Sequence, residues 1–156
     1  MTEANSGIEK TKSIDVKDMV AQADSGARSP DGMPGKFLWA IALAWALFQL
    51  WYASPLPFIF DFAVFNDSQA RAIHLSFAIF LAFTAFPAFK KSSIKKIPWI
   101  DWLFASLAAF SASYLVLFHQ QLADRAGAPI TADVAVAVCG MLLLLEATRR
   151  ALGPPL

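Results

Sequence analysis

The sequence predicts an all-α integral membrane protein with four transmembrane helices, both termini in the cytoplasm and a polar N-terminal tail. Of its 156 residues, 57% are hydrophobic and 16% are charged, whereas a soluble domain is about 45–50% apolar. The apolar residues form four blocks that charged segments separate. Most basic residues fall in segments that share one side of a membrane crossed four times, which is the pattern expected of cytoplasmic loops.

The first 35 residues hold half of the acidic residues and no long apolar period. Glycines and prolines after Asp24 are typical of a linker. The segment is too long and too acidic for the n-region of a signal peptide. We therefore predict a flexible cytoplasmic tail over residues 1–35 and a four-helix membrane module over residues 36–150.

The four apolar blocks are each 18 or 19 residues long, close to the roughly 20 residues that cross a bilayer as a helix. Helix is required because lipid leaves an open strand edge without hydrogen-bond partners. The predicted spans are residues 37–54, 71–89, 101–119 and 131–148.

Local signals mark the ends of these spans. Pro55 follows the first and Pro98 precedes the third. Thr131 is suited to cap the fourth span, with Asp133 in its first turn, where the helix dipole favours an anion. Residues 151–156 are predicted to be either the C-terminal end or the truncated start of a following, larger part.

Orientation follows from the basic residues. Eleven of the thirteen fall on one side if both termini are cytoplasmic. These eleven are Lys10, Lys12, Lys17, Arg28, Lys36, Lys90, Lys91, Lys95, Lys96, Arg149 and Arg150. The other two, Arg71 and Arg125, fall in the segments assigned to the outer side.

Charged residues cluster at the predicted cytoplasmic ends of the last two spans. Glu146 can pair with Arg149 at i+3 or Arg150 at i+4. Asp101 can reach either arginine if the two helices are neighbours. One hypothesis is a proton relay or ion site; the other, which we favour, is a set of interfacial ion pairs that fix helix register, because all four groups lie at helix ends.

Three polar residues lie near the opposite ends of the spans. Arg71 and His74 share one helix face at i and i+3, and Asp133 lies at the same depth. A histidine there could respond to pH or could be a hydrogen-bonded structural residue. No carboxylate lies mid-span to partner it, so we do not assign a proton site.

Two packing patterns accompany these charges. Alanines three or four residues apart recur in the second and third spans, which lets helices approach closely. Phenylalanine recurs at every third position of the second span, at residues 77, 80, 83, 86 and 89. This ridge is suited to face lipid or a larger helical partner.

The sequence favours a non-enzymatic protein. It offers no nucleophile beside a base and no carboxylate pair in a cavity. It has no cysteine pair or histidine pair at metal-binding spacing, and Cys139 is the single cysteine. A net charge of +1 gives no basic field for nucleic acid.

The sequence resembles one known family. "DMVAQADSGARSP" followed by "ALAWALFQLWYASPLPF" is similar to the opening of the fused permeases of TRAP transporters that accompany TAXI-type binding proteins. "RAIHLSFAIFLAFTAFP", "IPWIDWLFASLAAFSASYLVL" and "RAGAPITADVAVAVCGMLLLLEATRRALG" continue the resemblance in the same order.

The resemblance implies the small-permease part of a secondary active importer in the bacterial inner membrane. Its partners would be a large permease component, fused or separate, a periplasmic solute-binding protein and the lipid bilayer, with no nucleic acid. Substrate and sodium would bind the large component, so this chain would hold no cofactor and act as a scaffold.

Two other interpretations are open. The chain could be an independent four-helix membrane protein that associates with itself through the alanine stripes and phenylalanine ridge. It could also be a membrane-bound redox or proton-relay subunit, for which His74, His119 and the interfacial acids would be the candidate groups.

Overall fold

The computed structural model describes residues 27–28, 30, 32–88 and 96–152. Over these residues the chain is all-helical, without strands. The helices are α1 (Met33–Ala53), α2 (Leu56–Phe60), α3 (Asp67–Ala85), α4 (Trp99–Leu117), α5 (His119–Asp124) and α6 (Thr131–Leu152).

The four long helices correspond to the four predicted blocks. Among the described helices, α1, α4 and α6 are long and apolar enough to cross a membrane. Helix α3 is not one of them, since its first two turns carry Asp67, Arg71 and His74. A fourth span and the cytoplasmic position of both termini therefore stay predictions.

Four of the predicted boundaries differ by four residues from the structure. Helices α1 and α3 start earlier than predicted, α3 ends earlier, at Ala85, and α6 ends later, at Leu152. Helix α1 starts at Met33, inside the predicted tail, with a proline in its first turn, a position that proline tolerates well. Helix α3 starts at Asp67 because Asn66 and Gln69 form a reciprocal capping box. Residues 1–26, 29 and 31 of the predicted tail, residue 89 and residues 153–156 lie outside the described residues.

Helix α3 is the centre of the bundle. It makes its largest contact with α4 and also packs against α1 and α6, and α4 packs against α6 as well. The core consists of Ile79, Phe83, Ala105, Ala108 and Ala147. Helix α1 has no buried residue, so most of its apolar surface is available to lipid or to another protein.

Small residues set the spacing between helices, as the alanine pattern indicated. Ala105 and Ala108 are buried where α4 meets its neighbours. A Cβ atom added at Gly140 of α6 would lie 3.1 Å from the Cβ of Ser111 on α4. Such a contact is tighter than most, so a larger residue would require Ser111 to shift by a few tenths of an ångström, whereas glycine fits this close approach without a shift.

The phenylalanine ridge was assigned to lipid or a larger partner, and for Phe83 this expectation was wrong. Its side chain is completely buried and packs against Phe104 of α4, with ring centroids 6.1 Å apart. Phe80 likewise meets Trp102 at 6.0 Å. Phe80 and Phe83 therefore pack against α4 instead of facing outward.

Candidate functional site

A buried charge cluster lies where α4 begins. Asp101, in the first turn of α4, is 2% exposed. Its Oδ1 lies 2.8 Å from Nη1 of Arg150 on α6. Its Oδ2 lies 2.7 Å from Nη1 of Arg28, which precedes α1. The carboxylate is thus placed between two guanidinium groups whose side chains are almost fully buried, at 0% and 3% exposure.

Arg28 connects the chain before α1 to the rest of the cluster. Its backbone N–H donates to the carbonyl of Ala85 at the end of α3, at 2.6 Å. Its Nη1 also lies 3.4 Å from the carbonyl oxygen of Thr84. The N-terminal segment, the end of α3 and the start of α4 are therefore held together at one residue.

Arg150 extends the cluster along α6. Its Nε donates to Oε1 of Glu146 at 2.8 Å, and its guanidinium lies 4.7 Å from the ring centroid of Phe83. Arg149 donates two hydrogen bonds of 2.7 Å to the same Glu146. Glu146 thus pairs with both arginines.

The geometry is that of a clamp. Burial of charge is costly, and it is tolerated only when each charge has a close partner. Arginine does not lose its proton in proteins, so the three guanidiniums cannot relay protons themselves. We name Arg28, Asp101, Glu146, Arg149 and Arg150 the arginine clamp, since together they tie the N-terminal segment, α3, α4 and α6.

A second ion pair lies near the start of α6. Asp133 accepts hydrogen bonds from Nε and Nη2 of Arg125, at 2.9 and 2.8 Å, and from the Tyr114 hydroxyl at 2.8 Å. Arg125 lies between α5 and α6, and its hydrogen bond to Asp133 raises the pKa of the guanidinium. This bidentate pair fixes the loop between α5 and α6 against α4 and α6.

The structure does not bring Arg71, His74 and Asp133 together in one site. Arg71 pairs with Asp67 at 2.8 Å on an exposed helix face. Nδ1 of His74 lies 3.2 Å from Trp45 Nε1 and 3.1 Å from Gln49 Nε2, both on α1. Because the indole N–H can only donate, Nδ1 accepts, and His74 ties α1 to α3.

The residues proposed for a redox or relay subunit lie apart. His119 Nε2 is 3.2 Å from the Asn66 amide, whereas His74 faces α1. Within the described ranges, no group of three His, Cys, Asp or Glu side chains could hold a metal ion.

Sequence reasoning did not find Arg28, Arg125 or Tyr114 as site residues. Arg28 and Arg125 were used only to count charge on each side. Arg125 lies eight residues before Asp133, and this spacing has no helical register that would have indicated a pair. Arg28 has no local signal at all, because its partner is far away in the sequence.

Over the described residues, the fold and the cluster define an all-helical protein with three helices long and apolar enough to cross a membrane. The arginine clamp lies at one end of it, with Asp101, Arg28 and Arg150 buried at its centre. No protein family, curated protein or solved structure matches the chain.

Replacing Arg28 with alanine is expected to release the chain before α1 while the helices stay assembled, because Asp101 keeps Arg150 as a partner. Hydrogen exchange of the amide at position 28, which donates to Ala85, should become much faster. Mass spectrometry of peptides covering this segment measures the change. Lys36→Ala, at a nearby exposed basic residue, is the control, and equal exchange at position 28 in both variants would contradict the clamp.

Proposed function

We propose that the chain is the small-permease scaffold of a TRAP-type secondary active transporter in a bacterial inner membrane. The observation that carries this proposal is the arginine clamp. Its buried carboxylate pairs with Arg150 in the last turn of α6 and with Arg28 in the segment before α1, which suits a rigid support rather than a moving or ion-conducting element. The sequence resemblance supplies the transporter class.

The proposed topology has four spans with both termini in the cytoplasm. Helix α3 contacts α1, α4 and α6. If those three helices cross the bilayer, α3 lies among them and crosses it too. Its polar first turns then lie at the outer boundary, where Arg71 and Asp67 are exposed. The excess of basic residues on the other side favours a cytoplasmic arginine clamp.

In this proposal the chain braces a larger component that carries substrate and sodium and receives substrate from a periplasmic binding protein. Helix α1 supports such a role, because its side chains are largely exposed outside the bundle. Trp39, Leu47 and Leu50 are 68%, 56% and 68% exposed. These side chains suit contact with lipid or with a partner's transmembrane helix.

Single cysteines test the topology. In a Cys139→Ser background, Lys96→Cys and Asp124→Cys place one thiol on each predicted side, both at exposed positions. A membrane-impermeant maleimide applied to whole cells is expected to label position 124 and to label position 96 only after the cells are opened. Labelling of position 96 in intact cells would overturn the proposed orientation.

Purification and reconstitution test the function. A tagged chain in mild detergent is expected to co-purify with a protein of many membrane spans, and that pair, with its binding protein, should transport a solute in liposomes. The isolated chain should not transport. Transport by the isolated chain would refute the scaffold role, and a stable homo-oligomer without a partner would support the self-associating alternative.

A further inference from the structure

The connection between α1 and α3 exposes an unusual amount of apolar surface. We call residues 55–65, which include α2, the aromatic loop. Phe58, Ile59, Phe60 and Phe62 are 75%, 67%, 64% and 69% exposed. Asp61 is the single charged residue in this segment. A contiguous apolar patch of this kind on a protein surface marks an interaction site.

The aromatic loop is folded against the end of α1. Trp51, in the last turn of α1, stacks on Phe60 with ring centroids 6.3 Å apart and an interplanar angle of 18°. It also forms a T-shaped contact with Phe62, with ring centroids 6.2 Å apart. The exposed rings are therefore held at the level of the last turn of α1.

Two backbone positions turn the chain within the loop. Asp61 and Ala63 have φ values of 48° and 50°, in the left-handed region that residues other than glycine seldom adopt. Asp61 ends α2, and the Phe62 N–H donates to the Pro57 carbonyl at 3.2 Å. The chain thus reverses with its apolar side chains still facing outward.

We propose that the aromatic loop inserts into the interfacial layer of the outer leaflet, with its phenylalanines among the upper acyl chains. This inference rests on the proposed function, in which α1 crosses the bilayer. Two features favour lipid over a protein partner. The patch continues from the exposed apolar face of α1, where Leu50 is 68% exposed. It is also rich in aromatic residues, which collect at membrane interfaces.

The depth of insertion follows from the backbone. Helix α2 has five residues, and the segment after it is irregular. Irregular backbone exposed to lipid cannot enter the hydrocarbon centre, where its polar groups would find no partners. The loop is therefore limited to the boundary between headgroups and acyl chains, about 5–10 Å deep, as for other interfacial helices. Because the loop carries no basic residue, insertion should not require anionic lipid.

Spin-label depth measurement tests the inference. Phe58→Cys in the Cys139→Ser background is labelled with a nitroxide, and the chain is reconstituted in phosphatidylcholine vesicles. Collisions with oxygen, which concentrates in lipid, are compared with collisions with a water-soluble nickel chelate. We expect the oxygen-to-nickel ratio at position 58 to be several-fold higher than at Asp124→Cys, an exposed position in α5.

A third label separates the two proposals. Leu43→Cys lies midway along α1, where Leu43 is 42% exposed, and should give the largest ratio if α1 crosses the bilayer. A high ratio at position 43 with an aqueous value at position 58 would overturn the insertion of the aromatic loop but leave the membrane span of α1 standing. An aqueous value at position 43 would overturn the membrane span itself. A label at position 58 shielded from both reagents would also overturn the inference, since protein would then cover the loop.

Discussion

Replacing Asp101 with alanine is expected to lower the free energy of unfolding by about 3–5 kcal/mol, the usual cost of leaving buried charge uncompensated. Arg28 and Arg150 both point their Nη1 atoms at this carboxylate, at 2.7 and 2.8 Å. Without it, two buried guanidiniums face each other across an empty site. Denaturant unfolding in detergent micelles, followed by circular dichroism, measures the loss.

The matched control is Asp67→Ala. Asp67 also pairs with an arginine at 2.8 Å, but both side chains are largely exposed, at 69% and 79%. Exposed pairs contribute only about 0–1 kcal/mol, so this variant should unfold almost as the parent does. Equal losses in the two variants would show that the arginine clamp contributes nothing beyond a surface ion pair.

A triple variant separates uncompensated charge from lost packing. Arg28→Met, Asp101→Leu and Arg150→Met together replace the buried charges with apolar groups of similar length. Such replacements are often neutral or stabilising. The triple variant should therefore be more stable than Asp101→Ala alone, although it carries more changes.

The long helices could be predicted because their signals are local. An apolar block of 18 or 19 residues indicates a long helix whatever surrounds it, and three of the four blocks form helices long and apolar enough to cross a membrane. The predicted start of α3, at residue 71, was wrong because it was set by the apolar block and not by the N-terminal capping residues. Asn66 with Gln69 three residues later is a capping box visible in the sequence, and it starts the helix four residues early.

The arginine clamp could be predicted only in part. The pairing of Glu146 with Arg149 and Arg150 follows from helical spacing, and the structure places these groups at 2.7 and 2.8 Å. The contact of Asp101 with Arg150 required only that α4 and α6 be neighbours. Arg28 could not be assigned, because its position depends on how the chain before α1 meets the end of α3.

The opposite end of the bundle shows a similar limit. The sequence grouped Asp133 with Arg71 and His74 only because all three lie at the same predicted depth along the spans. The structure pairs Asp133 with Arg125 and Tyr114 instead. Depth gives the height of a side chain along the bundle but not which helix it faces. Helix α6 packs on α4 as well as on α3, and Asp133 faces the α4 side.

Replacing Phe83 with alanine is expected to cost about 3 kcal/mol of unfolding free energy, at the lower end of values for buried aromatic residues. The side chain is completely buried, so its loss leaves a cavity between α3 and α4. It also removes the ring that lies 4.7 Å from the Arg150 guanidinium. The same micelle unfolding assay measures the change, and Phe58→Ala, at a position 75% exposed, should have little effect.

Phe83→Leu separates the contribution of packing from that of the cation–π contact with Arg150. Leucine fills most of the cavity but offers no aromatic face to the guanidinium. The remaining loss should be about 1 kcal/mol, the size of a partly desolvated cation–π contact. Phe83 and Asp101 both contact Arg150, so their effects should not add. A variant with both changed to alanine should lose less stability than the two single losses together, because the first change already frees Arg150 from its fixed position. Strict additivity would mean that the core and the arginine clamp act independently, contrary to the packing of Arg150 between them.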